Sequence, residues 1–197
     1  MQLDDIANII TGYQYRGATS SLKDNKSDGY TIKNKDLNLI KDVNWDEVDK
    51  THIMARSPKY LQEGDILFSY KGTSNFAYCI RNIPPRTITN NQLQVIRLIE
   101  SPLLPEFVAW QLNQLPCQKY FAQQVRGTVR KHITKTSLES APLILATLNL
   151  QNQVIELNRR THSEMVIYNN LINNRKRYLK TVSNDFFKLQ ESEEGNE

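Results

Sequence analysis

The chain has 197 residues, 39% of them hydrophobic, with 25 Lys or Arg against 21 Asp or Glu. That is enough for one globular domain with a real core, and no apolar run approaches the ~18 residues of a membrane span. Cys79 and Cys117 stand in no metal-binding spacing and the three histidines are scattered, so reduced, buried thiols and no structural zinc are expected. The start Met1-Gln2-Leu3-Asp4-Asp5 is unlike a signal peptide, which points to the cytoplasm.

Charge is unevenly spread. Residues 1–65 hold 9 basic and 11 acidic side chains, 66–138 hold 9 and 2, and 139–197 hold 7 and 8. The middle block therefore carries the positive charge, and such a block attracts a polyanion, most often nucleic acid. The plainer alternative is that these cations are solvated side chains around loops.

In chain order, residues 3–10 suit a short strand or a turn of helix. Thr11-Gly12-Tyr13-Gln14-Tyr15-Arg16-Gly17 then sets aromatics and a cation between glycines, a loop able to approach a phosphate or base. Asp28-Gly29 signals a turn before a strand at Tyr30–Ile32. Glu63-Gly64-Asp65 reads as a turn and Ile66–Tyr70 as a strand. A second turn, Lys71-Gly72-Thr73-Ser74-Asn75, follows. Phe76–Ile80, Thr87–Ile88 and Leu93–Ile99 are further strand candidates, and this density of strands suggests a barrel-like sheet. A helix is expected over Glu106–Leu115 with Phe107, Trp110 and Leu115 inward, then a break at Pro116 and a second helical piece to about Val125. Arg126-Gly127-Thr128-Val129-Arg130-Lys131 follows, inside a stretch with no acidic residue from Phe107 to Leu138. Pro142–Leu145 reads as an apolar strand, and Thr147 as the N-cap of the last element.

That element is a helix of about 40 residues, roughly 60 Å long at 1.5 Å per residue. Val154, Thr161, Met165, Tyr168, Ile172, Leu179, Val182 and Phe186 fall in alternating steps of four and three, with Asn158 and Arg175 at the two remaining seam positions. A heptad seam of this length wants a partner helix, and polar seam residues often fix register or oligomer state. The alternative is a helix folded back onto its own domain. The expected organisation is a domain over 1–146, a coiled-coil helix over 147–187 and an acidic, disordered tail over 188–197.

The order of these features resembles the specificity (S) subunits of type I restriction–modification systems. The matching pieces are Leu3-Asp4-Asp5-Ile6-Ala7 with Thr11-Gly12 and Arg16-Gly17; Leu61 to Ser69 with Gly72-Thr73; Pro105 to Asn113; Gly127-Thr128 with Ile133 and Leu138; and Leu148 to Leu157. The chain departs from the family's usual pattern in lacking prolines just before the helix, where it has Leu145-Ala146-Thr147. It also carries one recognition domain and one helix where the usual subunit has two of each. The resemblance implies an α+β target-recognition domain followed by a spacer helix, in a half-subunit that pairs with a copy of itself or with another half. It further implies binding to a bipartite double-stranded DNA site, docking of a methyltransferase subunit and association with a restriction subunit, with no catalysis or cofactor of its own.

The sequence agrees in lacking Gly-x-x-x-x-Gly-Lys, Gly-x-Ser-x-Gly and Asn-Pro-Pro-Tyr signatures. Asp65 reads as a turn and strand-start residue rather than a metal ligand. The DNA-contact candidates are loop residues: Arg126, Arg130 and Lys131 around Gly127 and Thr128, then Lys71 and Thr73, then Tyr15 and Arg16. Arginines can fork onto guanine or phosphate, and glycine permits close backbone approach. The competing reading makes Gly127-Thr128 a plain turn with Arg130 packed on Trp110. His132 and Trp45 read as structural. A coiled-coil adaptor without a DNA role is the alternative function.

Overall fold

The computed structural model describes residues 1–13, 27–53, 57–71, 75–124 and 132–194, the side chains of 188–194 excepted. It divides into two compact units, Met1–Asn158 and Arg159–Glu197. The first unit is α+β, in line with the sequence. Among its described residues lie seven strands: β1 (Ala7–Thr11), β2 (Gly29–Ile32), β3 (Asp49–Thr51), β4 (Ile66–Ser69), β5 (Phe76–Cys79), β6 (Thr87–Thr89) and β7 (Leu93–Leu98). They form a four-stranded antiparallel sheet, β1-β7-β4-β5, and a three-stranded sheet, β3-β2-β6, in which β2 and β6 run parallel. Among the described residues no barrel closes. One reason is visible at the outer edge of β5. There the Ala77 N–H donates to Asn113 Oδ1 (2.8 Å) and Asn113 Nδ2 donates to the Ala77 carbonyl (2.7 Å). A strand edge satisfied by a side chain needs no further strand.

The four-stranded sheet is covered on both faces, which is why all four residues of β4, Ile-Leu-Phe-Ser, are buried. Ile66, Phe68 and Ile96 point into a core built with α1 (Pro105–Asn113) and α2 (Leu115–Gln124). Leu67, Leu93 and Val95 point the other way, against Ile32, Leu37 and Leu61, with Trp45 half-buried at the margin and edge-on to Tyr30. Phe107 and Trp110 stack at 5.5 Å, as their spacing suggests. Leu115 does not face inward: α1 ends at Asn113, α2 begins at Leu115 with Pro116 in its first turn, and the Leu115 side chain is 65% exposed.

Pro142–Leu145 is a second correction. It is extended chain rather than a strand, because it follows the N-terminal residues and not a sheet: Leu3 N donates to Ala141 O and Leu143 N to Met1 O. A short helix α3 (Lys135–Glu139), capped by the Thr134 hydroxyl, precedes it.

The last helix, α4, runs Leu148–Glu194. Its Thr147 cap accepts from the Leu150 N–H at 3.4 Å. The first three turns, as far as Asn158, belong to the first unit, where Gln151 and Ile155 are buried. Fully buried Gln151 accepts from the Leu104 N–H (2.7 Å) and donates to the Pro102 and Ala146 carbonyls (2.9 Å each), fastening the start of α4 to the chain before α1. Beyond it, Met165, Tyr168, Ile172, Leu179, Val182 and Phe186 are exposed.

Asp65 holds the turn into β4. Gly64, at φ +82°, supplies the left-handed residue, and Asp65 Oδ2 accepts from the Gln62 N–H at 2.8 Å. Arg97 of β7 grips the same carboxylate with two bonds, Nε to Oδ1 at 2.8 Å and an Nη to Oδ2 at 2.7 Å. The bonds from Asp65 also hold the guanidinium firmly protonated, raising its pKa. Asp65 is 2% exposed. Asp65→Ala should therefore lower stability by about 1–3 kcal/mol, the cost of leaving the Gln62 N–H and the partly exposed Arg97 guanidinium without their acceptor. Urea unfolding measures it, and a loss below about 1 kcal/mol would show the pair to be dispensable.

Candidate nucleic-acid interface

The strand registers gather one end of both sheets. Thr11 pairs with Gln94, and Ser69 with both Leu93 and Phe76, so these residues share the end of the first sheet. Ile32 pairs with Thr89 and Thr31 with Asp49, which sets the matching end of the second. The tight turn from Thr89 to Leu93 joins the two. Across it Tyr13 N donates to Thr89 O (2.7 Å) and Gly12 N to Leu93 O (3.3 Å). Gly12 is required: a Cβ there would sit 1.9 Å from the Asn90 carbonyl oxygen.

Tyr70 ties this end together. Its carbonyl accepts from the Ile133 N–H (3.0 Å), its hydroxyl donates to the Asn91 carbonyl (2.7 Å), and Lys71 forms an isolated bridge with His132. The anchors of three sequence-predicted loops, Tyr13, Lys71 and His132, thus share one end of the unit. Of the predicted contact residues only Lys71 is itself described. It is exposed, with its ammonium 5.0 Å from the centre of the Tyr70 ring. Tyr15, Arg16, Thr73, Arg126, Gly127, Thr128, Arg130 and Lys131 lie outside the described residues.

A further segment, missed from sequence, joins them. After β2 the chain makes a 3-10 turn, Asn34–Asp36, and Asn34 Nδ2 donates to Ser69 Oγ at 2.9 Å. Lys33 and Lys35 share the Asp49 carboxylate, and the Lys33 hydrogen bond above all holds Asp49 below the usual carboxylate range. Burial pushes Asp36 the other way, upward. The two buried side-chain oxygens that lack a partner among the described residues, Asn34 Oδ1 and Gln94 Oε1, also lie here. The only sequence signal was Lys-Asn-Lys after a short strand.

At the opposite end the cations are arginines. Arg81, Arg86 and Arg97, all from the basic middle block, are paired there with Glu106, Asp28 and Asp65. Lys135 is paired with Glu139 one helical turn on. Nearly half the basic block is thus neutralised internally.

The chain belongs to the family described as type I restriction modification DNA specificity domain, which it matches over residues 1–157. Among curated proteins none matches it. A type I restriction-modification S subunit from M. genitalium is similar at TM-score 0.50 and 11% identity, covering 80% of this chain and 37% of that one. A chain from a structural study of type I R-M complex assembly and conformational transition is similar at TM-score 0.59 and 16% identity, covering 92% and 42%. The chain spans about two fifths of the length of these solved structures, and at such identities the likeness concerns the fold.

Among the described residues no group of three or more His, Cys, Asp or Glu could hold a metal ion, and no helix is long and apolar enough to cross a membrane. Both cysteines are free thiols. Burial pushes Cys79 up to about 12 and Cys117 up to about 11, and the Cys117 S–H donates to the Pro142 carbonyl at 3.2 Å. Only the thiolate is reactive. At pH 8 both should react with an aromatic disulfide reagent about a hundredfold slower in the folded protein than in urea. Equal rates would contradict the burial described.

Proposed function

We propose that the chain reads a double-stranded DNA sequence as a half specificity subunit of a type I restriction–modification system. The observation that carries this reading is the contrast between the two ends of the domain. At one end three arginines are each spent on a carboxylate; at the other Lys33 and Lys35 share Asp49, while exposed Lys71 stands beside the anchors of loops whose sequences are rich in cations, small residues and aromatics. Family membership supports it. DNA contact through Tyr15, Arg16, Lys71, Thr73, Arg126, Gly127, Thr128, Arg130 and Lys131 would come from the backbone first, with arginines reaching base edges.

The chain supplies recognition rather than catalysis. The seam of α4, from Val154 to Phe186, pairs it with a second copy or another half, and the pair presents two readers to a bipartite site. A modification methyltransferase subunit, and with it a restriction subunit, then takes its position from that complex in the cytoplasm.

Binding to a duplex across a salt series tests the reading. Each phosphate contact removed by Lys71→Ala, Arg126→Ala, Arg130→Ala or Lys131→Ala should reduce the slope of log affinity against log salt by about 0.9. A slope unchanged in all four variants would remove these loops from the interface.

A further inference from the structure

Lys33 and Lys35 flank Asn34 in the turn that follows β2, and their ammonium groups converge on one carboxylate. Lys33 Nζ bonds Asp49 Oδ2, and Lys35 Nζ lies 3.3 Å from Asp49 Oδ1. Two cations brought onto the two oxygens of one small anion are also placed for two oxygens of a phosphate. The turn that carries them is fixed at both ends. Asn34 Nδ2 donates to Ser69 Oγ at 2.9 Å, two residues before the exposed Lys71, and Asp36 Oδ2 accepts from the Lys33 N–H at 2.8 Å. The two lysines therefore stand at the end of the sheets where the candidate loops are anchored.

The carboxylates of this segment differ in what they hold. The Asp36 side chain is 7% exposed and is committed to the backbone of the turn. Asp49, 40% exposed at the start of the edge strand β3, receives its bonds from the two lysines. Arg97 and Asp65 supply the contrast: that carboxylate is buried, takes two bonds from one guanidinium and also accepts from a turn N–H. Such a pair does not part without loss of the turn. Lys35 is 60% exposed, and an exposed ion pair is worth little, so Asp49 yields its lysines readily to a competing anion. Phosphate is such an anion, and lysine binds it as a point charge.

We propose that Lys33 and Lys35 form a clasp for a DNA phosphate, and that Asp49 occupies the place of that phosphate in the free protein and is displaced when DNA binds. The proposal rests on the reading of this end as the DNA-facing one and adds a contact segment with a built-in brake on affinity. The brake acts on every duplex alike, because phosphate contacts carry no sequence information.

The test is the dissociation constant of the full chain for a duplex of randomised sequence at low salt. The variants are Asp49→Asn, Asp49→Ser, Lys33→Ala with Lys35→Ala, and that lysine pair combined with Asp49→Asn. With two exposed ion pairs no longer to be broken, Asp49→Asn should bind about tenfold tighter than wild type, and Asp49→Ser should do the same. Loss of both lysines should weaken binding, and without them Asp49→Asn should lose most of its gain. Affinities of both Asp49 variants equal to or below that of wild type would overturn the proposal. A gain of full size in the chain lacking both lysines would overturn it too, since net charge and not the clasp would then be responsible. Salt slopes that respond to the Lys71, Arg126, Arg130 and Lys131 variants while Asp49→Asn changes nothing would sink the clasp alone. No binding by wild type or any variant would sink the DNA reading and the clasp with it.

Discussion

Two residues of backbone pairing beyond the end of β4 hold the candidate interface together. Tyr70 and Lys71 meet His132 and Ile133 there, and the Tyr70 hydroxyl reaches Asn91. Loops carrying charge and glycine cannot bury enough apolar surface to order one another. Their anchors must be fixed by something else, and here it is the rigid end of a sheet covered on both faces. Ile133, fully buried, secures the return of the basic segment to the core.

The same logic explains how charge is distributed. A domain that presents cations at one end gains nothing from free cations at the other, where they would draw a polyanion to the wrong face. Arg97 on Asp65, Arg86 on Asp28 and Arg81 on Glu106 are ion pairs within the fold, and under the proposed reading they would also remove that competition. A count of basic residues along the chain cannot separate these roles; only the fold does.

What could be read from the sequence follows the strength of each local signal. β4 was legible because Ile-Leu-Phe has strand-forming residues between two turn signals, and α4 because a heptad repeat runs without Pro or Gly. β3 was not, since Asp49-Lys50-Thr51 is a polar edge strand whose pairing with β2 comes from tertiary contact. Pro142–Leu145 was misread because an apolar run looks the same whether it joins a sheet or lines the N-terminus. Lys71 became a candidate through its glycine neighbour, whereas Asn34 and its flanking lysines joined the candidate interface through parallel pairing of β2 with β6, which nothing in the local sequence announces. Gln151 was equally hidden: a polar residue in a helix looks like solvent-facing surface until the carbonyls it satisfies are known.

Selection from a pool of randomised duplexes tests the central claim most directly. The full chain, retained at the salt concentration where wild-type binding is half-maximal, should enrich one short sequence, present twice in inverted orientation at a fixed spacing if two copies act together. Retained duplexes with no sequence bias, or no retention at any salt, would contradict a sequence-reading role.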